Sequence, residues 1–147
     1  MTTDGSTAQH IIERFKLDSH PEGGYYRELW RGPSGRDGRD IGSSILFLLA
    51  AGQRSHWHRI DATEIWHFHS GTPLHLHVAD PANGNVHTTT LGSVRFDDDD
   101  GHRPQAIVPP HHWQAAEPLG DWTLVGCTVT PGFEFAHFEL APPDFTP

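Results

Sequence analysis

His56-Trp57-His58-Arg59-Ile60-Asp61-Ala62-Thr63-Glu64-Ile65-Trp66-His67-Phe68-His69-Ser70-Gly71 is the densest chemical stretch of the chain, and its period decides the fold. Successive side chains of an extended strand point to opposite faces, so a strand over Ser55–Arg59 aims His56 and His58 the same way. After a turn over Arg59–Thr63, Glu64 opens a second antiparallel strand, Glu64–His69, and its carboxylate can reach the same point. Two imidazole nitrogens and one carboxylate oxygen with open positions suit zinc, nickel, manganese or iron. The plainer alternative makes one histidine a packed structural residue and the other a surface one.

Outward from this stretch the same two-residue period continues. Tyr25–Arg31 alternates, with Tyr26, Glu28 and Trp30 on one side and Tyr25, Arg27 and Leu29 on the other. Ile41–Ala51 is a nearly continuous apolar run that reads as a buried strand. Further strands fit Pro73–Ala79, Val86–Leu91, Gln105–Val108, Gln114–Ala116, Trp122–Thr130 and Phe135–Leu140, separated by turn signals at Gly71-Thr72-Pro73, Pro81-Ala82-Asn83-Gly84, Pro109-Pro110 and Pro131-Gly132. One helix, over about 7–17, is predicted by Ala8, Ile11, Ile12 and Phe15 at helical spacing and by Ser6 and Gln9 at capping-box spacing. Asp18–Gly24 reads as a turn. Many short strands at even spacing predict an all-β sandwich or barrel.

Composition agrees. In 147 residues the chain has 15 Gly and 12 Pro, a poor mixture for long helices, and its length suits one domain. A net charge of −9 argues against nucleic acid as a partner. With no long apolar run and no basic leader, a cytoplasmic protein without a membrane segment is expected. A single cysteine, Cys127, forms no internal disulfide and reads as a small core residue.

Several side chains invite a functional reading beside an ordinary one. Trp66 and Phe68 share the face of Glu64, either as barrel filling or as a stacking wall for a ring-shaped ligand. Arg27 and Arg59 can fork onto a phosphate or carboxylate, or form surface ion pairs. If Glu64–His69 pairs with Pro73–Ala79 as a hairpin, then His67, His69, His75 and His77 share its outer face, as polar cover, a metal trap or a pH-sensitive contact. Asp97–Asp100 reads as a solvated loop rather than a hard-cation site.

His58-x5-Glu64-x6-Gly71 resembles the first motif of the cupin superfamily, small jelly-roll barrels that hold a metal inside the barrel. His20-Pro-Glu-Gly-Gly-Tyr-Tyr-Arg-Glu28, His58-Arg-x-x-Ala-x-Glu-Ile-Trp-His-Phe-His69-x-Gly71, Trp113-Gln-Ala-Ala116 and Leu124-Val-Gly-Cys-Thr-Val-x-Pro-Gly-Phe133 are similar to a small-cupin family often labelled sugar epimerases, over about residues 9–141. The resemblance implies a double-stranded β-helix with a short N-terminal α-helix, as one domain over 1–147 with its barrel over about 25–141. It departs from the cupin pattern twice. Five residues separate His58 from Glu64 where three or four are usual, which would displace Glu64. In the second motif, Pro109-Pro110-His111-His112-Trp113-Gln114 has His111 in the glycine place and Gln114 in the ligand place, with His112 as a substitute two residues before it.

From the resemblance follow the remaining expectations. His56, His58, Glu64 and Gln114 would hold a divalent zinc, nickel, manganese or iron ion weakly, or the barrel would work without metal. In the second case His58 is the base of an epimerase or isomerase acting on a sugar-like or other polar metabolite, Tyr26 or Tyr25 the acid, Glu64 a further catalytic group, and Asp61 a residue that orients His58. Arg27, Trp66, Phe68 and His112 would line the substrate pocket. The alternatives are a ligand-binding or storage cupin and a metal-dependent dioxygenase or lyase. The partners expected are a small-molecule substrate and a second copy of the chain, paired through the Tyr25–Arg31 strand.

Overall fold

The computed structural model describes residues 5–94 and 101–147, so the Asp97–Asp100 run lies outside the described residues. Among the described residues, eleven strands follow one helix: α1 Gly5–Phe15, β1 Asp18–Ser19, β2 Tyr25–Arg31, β3 Ser43–Ala50, β4 Ser55–Ile60, β5 Thr63–Gly71, β6 Leu74–Ala79, β7 Val86–Leu91, β8 Gln105–Val108, β9 Trp113–Pro118, β10 Trp122–Thr130 and β11 Phe138–Leu140. They form two antiparallel sheets, one in the order β1-β2-β3-β10-β5-β8 and the other β11-β4-β9-β6-β7. These sheets close face to face as a jelly-roll barrel, the all-β architecture expected. Between them lie Phe47, Leu49, Trp66, Leu74, Leu76, Leu91, Val125 and Cys127, the inward members of alternating strands.

Helix α1 packs Ala8, Ile11 and Ile12 on the outside of the six-stranded sheet, against Leu48 and Leu124. It begins before Ser6, so Ser6 is already within the helix, and Gln9 hydrogen-bonds Glu13 instead of closing a capping box. It also ends two residues earlier than the spacing predicts. Lys16 turns left-handed at φ 55° and the Leu17 amide reaches back to the Ile12 carbonyl at 2.9 Å, a Schellman closure that folds Leu17 into the core. Phe15 is left at the surface beneath Arg14.

Two strand pairings differ from the sequence expectation, and both matter for the site. β4 and β5 are not hairpin partners: β4 pairs with β9 and β11, whereas β5 pairs with β10 and β8 in the other sheet. The Asp61-Ala62 link therefore crosses between sheets, so His58 and Glu64 face each other across the barrel. Nor do β5 and β6 pair; β6 lies between β7 and β9. The four histidines of the expected outer face thus divide, His67 and His69 on one sheet and His75 and His77 on the other. The inward parity of Trp66, Leu76 and their neighbours is as expected, because it depends on each strand's own period and not on its partner.

Candidate active site

A register shift in the β4–β9 ladder between Ser55 and His58 sets which β4 residues point inward. Ser55, His58 and Ile60 are buried, three and two residues apart, so the alternation breaks once. His56 consequently leaves the set: its Nε2 meets the Pro142 carbonyl oxygen at 2.9 Å, away from His58 and Glu64. The expected convergence of His56, His58 and Glu64 fails because one extra residue in β4 reverses the face of His56.

Glu22 takes its place. The His20–Gly24 segment folds back on itself through His20 N–H to Gly24 O at 2.9 Å and Gly23 N–H to His20 O at 3.0 Å, and the His56 amide donates to Glu22 O at 2.7 Å, tying the turn to β4. Gly23 has φ 111°, and a Cβ there would lie 2.1 Å from the Arg54 carbonyl oxygen, so only glycine allows this approach. The turn thereby pushes a carboxylate into the barrel. Ser55 Oγ donates to Glu22 Oε1 at 2.8 Å, and His58 Nε2 meets Glu22 Oε2 at 2.9 Å. His58 Nδ1 can only donate to the His56 carbonyl it faces at 2.8 Å, which fixes the ring. Burial pulls the His58 pKa down, but the Glu22 anion and its hydrogen bond outweigh this, with Glu64 adding to them, and raise it to about 9. Burial likewise works against the Glu22 anion, and the His58 cation overcomes it and holds Glu22 below the usual carboxylate value. The two form a buried ion pair.

Glu64 has a different setting. Gln114 Nε2 donates to Glu64 Oε1 at 2.8 Å, while Trp66 Nε1 donates to Gln114 Oε1 at 2.8 Å. Since an indole N–H can only donate, it fixes the Gln114 amide with its oxygen toward Trp66 and its NH2 toward Glu64. Burial pushes the Glu64 carboxyl up to about 7, against the pull of the His58 cation and with the help of the Glu22 charge. Its protonation therefore changes near neutrality, the condition for a carboxylate that both takes and returns a proton. Gln114→Leu would leave the Trp66 N–H and a Glu64 oxygen unpartnered in the interior. We expect that substitution to lower stability by about 2–6 kcal/mol in urea denaturation, at about 1–3 kcal/mol per abandoned buried group.

Glu22, His58 and Glu64 form the floor of a cavity of about 450 Å³, with walls of Tyr26, Ile45, Phe47, Ile60, Val129 and Phe133. His20 closes one side, its Nδ1 accepting from the Glu22 amide at 3.1 Å and its ring edge-on to Tyr26 with centroids 4.5 Å apart. That hydrogen bond places the neutral ring's proton on Nε2, and burial lowers the His20 pKa in spite of Glu22. Phe133, Phe135 and Phe138 pack edge to face beside it.

The other expected site residues fall as follows. Tyr26 faces the cavity, whereas Tyr25 packs under α1. Arg27 points away from the cavity; the arginine at the mouth is Arg31, because a register shift between Glu28 and Trp30 reverses the parity of β2. Arg31 is committed to Glu28, to Asp40 at 3.1 Å and to the Phe133 carbonyl at 2.8 Å. Arg59 forms the surface pair with Glu139 at 3.0 Å. Trp66 and Phe68 follow Glu64 inward along β5 but lie deeper, in the packed core, and do not line the cavity. His112 precedes β9 and lies in a separate surface groove with Val78 and Ile107. Asp61 pairs with Arg39 at 2.8 Å and does not touch His58; Glu22 orients that ring instead. His111 fills the glycine place of the second motif by adopting φ 68° itself.

A metal does not fit this donor set. His56 lies elsewhere, the Gln114 oxygen is held by Trp66, and both nitrogens of His58 are engaged. Among the described residues, the group whose donor atoms lie within 4.8 Å of one another is His75, His77 and Glu117, outside the barrel. Sequence reading passed over Glu22, His20 and Arg31. The available signal for Glu22 was an ionisable residue inside a Pro-x-Gly-Gly turn, where a solvated loop has no need of two glycines.

Comparison with known proteins supports the architecture. The family model described as Cupin superfamily (DUF985) matches residues 9–141. A crystal structure of a Shewanella oneidensis protein is 38% identical with a TM-score of 0.84, covering 96% of this chain and 85% of its own. A hypothetical protein from Leishmania major is 31% identical with a TM-score of 0.78, over 91% and 86% of the two chains. A dTDP sugar isomerase from Desulfovibrio desulfuricans shares the fold at 16% identity and a TM-score of 0.60, over 87% and 88%. No curated protein matches the chain. Among the described residues, no helix is long and apolar enough to cross a membrane.

Proposed function

The chain belongs to the DUF985 family of the cupin superfamily, and on that footing we propose that it is an isomerase or epimerase that moves a proton on a small, uncharged polar metabolite. The observation that carries this reading is the Glu22–His58 ion pair beside Glu64 at the floor of an aromatic-walled cavity. Glu64, poised near neutrality, takes the proton next to a carbonyl. His58 is held as a cation by Glu22 with both of its N–H groups engaged, so it favours the developing oxyanion through its positive charge and is not the base expected from the sequence. Tyr26, which lines the same cavity, is the candidate to return a proton.

Charge selects the substrate class. Glu22, Glu28, Glu64 and Glu134 line the cavity, against Arg31 and His58, and both cations are already paired. A phosphate or carboxylate would find no uncommitted cation among these lining residues. Ring stacking on His20, Tyr26 and Phe135 and hydrogen bonding to carboxylates suit an unphosphorylated sugar or a similar α-hydroxycarbonyl compound.

Incubation in deuterated water with a panel of neutral aldoses and ketoses, followed by NMR, tests the reading. Enzyme-dependent loss of one C–H signal is expected with a neutral member and none with its phosphate ester. Binding without exchange would favour the ligand-binding alternative. We retain the homodimer as part of the proposal: beyond Tyr26 the outer edge of β2 has no β1 partner, and Leu29 and Trp30 are 58% and 49% exposed there. Light scattering should give twice the 16.4 kDa chain mass, and Trp30→Lys should shift it toward the monomer.

A further inference from the structure

On the outer face of the five-stranded sheet, β6 and β9 bring together three side chains that the barrel chemistry does not use. His75 and His77 alternate outward on β6, and Glu117 of β9 stands directly opposite His75 in the ladder. Glu117 reaches His77 Nε2 at 2.8 Å and lies 4.0 Å from His75 Nδ1. From these positions we propose that His75, His77 and Glu117 form a surface binding site for a divalent transition-metal ion of the zinc or copper class.

Three features make this more than an ion pair. The donor atoms lie within 4.8 Å of one another, so small rotations of the half-buried rings bring them to the roughly 2.0–2.2 Å bonds of a shared ion. Next, His77 Nε2–H donates to Glu117 in the metal-free site, and Thr88 Oγ1, 2.7 Å from His77 Nδ1, can accept a proton from Nδ1 when an ion takes the place of the one on Nε2. A hydrogen bond to the far ring nitrogen is the usual means of fixing a ligating histidine. Finally, all three groups stand on paired strands, β7 supplying Thr88 opposite His77, so the frame is rigid. Two imidazoles and a carboxylate favour borderline divalent ions over calcium or magnesium and leave a fourth position open. Bound there, the ion would clip β6 to β9.

Zinc competition against a chromophoric chelator, on protein made without an affinity tag, tests the site. One equivalent per chain is expected, with affinity at least tenfold weaker in His77→Ala and in Glu117→Gln and unchanged in His67→Gln on the other sheet. Trp57 lies 6.3 Å from His77, ring centroid to centroid, so copper should quench part of the tryptophan fluorescence, and Trp57→Phe should remove that part. Zinc should also raise the melting temperature of the wild type and not of His77→Ala. Wild-type affinity in both ligand variants, uptake that never saturates at one equivalent, or copper quenching unaltered in Trp57→Phe would each overturn the proposal. Circular dichroism of the variants separates lost ligands from lost fold, and none of these readings depends on the barrel chemistry.

Discussion

Glu22→Ala is expected to destabilise the protein by about 3–5 kcal/mol, the usual cost of removing one partner of a buried ion pair. It leaves the buried His58 without the anion that holds its proton, and Ser55 without its acceptor. The imidazole can escape part of the penalty by losing its proton, which makes Glu22→Gln the milder change. A glutamine can offer NH2 to the His58 Nε2 lone pair and its oxygen to Ser55. The pH dependence separates the two. His58 has its pKa raised from 6.5 to about 9 by folding, so its contribution to stability is complete below about pH 6.5 and is lost as pH rises through about 9. Glu64, raised from 4.5 to about 7, acts in the same direction at lower pH, and has spent its contribution by about pH 7. Glu22, lowered below 4.5, has the opposite sign: its contribution is present above that value and disappears as acid protonates it. Urea midpoints of the wild type should therefore fall from pH 7 to pH 9.5, while those of Glu22→Gln stay nearly level. A wild-type midpoint constant across that interval would mean that His58 is neutral in the folded protein.

Glu64→Gln should lower the rate of substrate proton exchange by about 10²–10⁴-fold, the range supplied by a positioned general base. Its fold should survive, because an amide oxygen at position 64 still accepts from Gln114 Nε2. Binding of the neutral substrate, measured by calorimetry, should change little, so the loss falls on kcat rather than KM. In the wild type, the rate should climb as Glu64 ionises near pH 7 and decline as His58 loses its proton near pH 9. Glu64→Gln abolishes the rising limb, and Glu22→Gln moves the falling limb to lower pH. Exchange at the wild-type rate in Glu64→Gln would transfer the base role to another cavity group.

Alternating runs such as Tyr25–Arg31 and the apolar Ser43–Ala50 settled the existence of most strands, because residue period and burial are local properties of a strand. Family motifs added the barrel and drew attention to His58 and Glu64, both of which line the cavity. Partner choice was not legible. β4 and β5 are separated by two residues and look like a hairpin, yet they belong to opposite sheets, and nothing in their own alternation distinguishes the two arrangements. β1, only Asp18 and Ser19, is too short for any period to reveal.

By itself, then, the sequence determined the inward face of each regular strand, the interior positions of His58 and Glu64, and the turn chemistry of His20–Gly24. Tertiary structure alone decided that His56 leaves the site, that Arg31 replaces Arg27 at its mouth and that Glu22 enters to charge His58. The physical reason is common to all three. A ladder irregularity or a glycine turn shifts the chain by a single residue, reversing which side chains point inward, and that shift is fixed by how neighbouring strands pack rather than by the residues it moves.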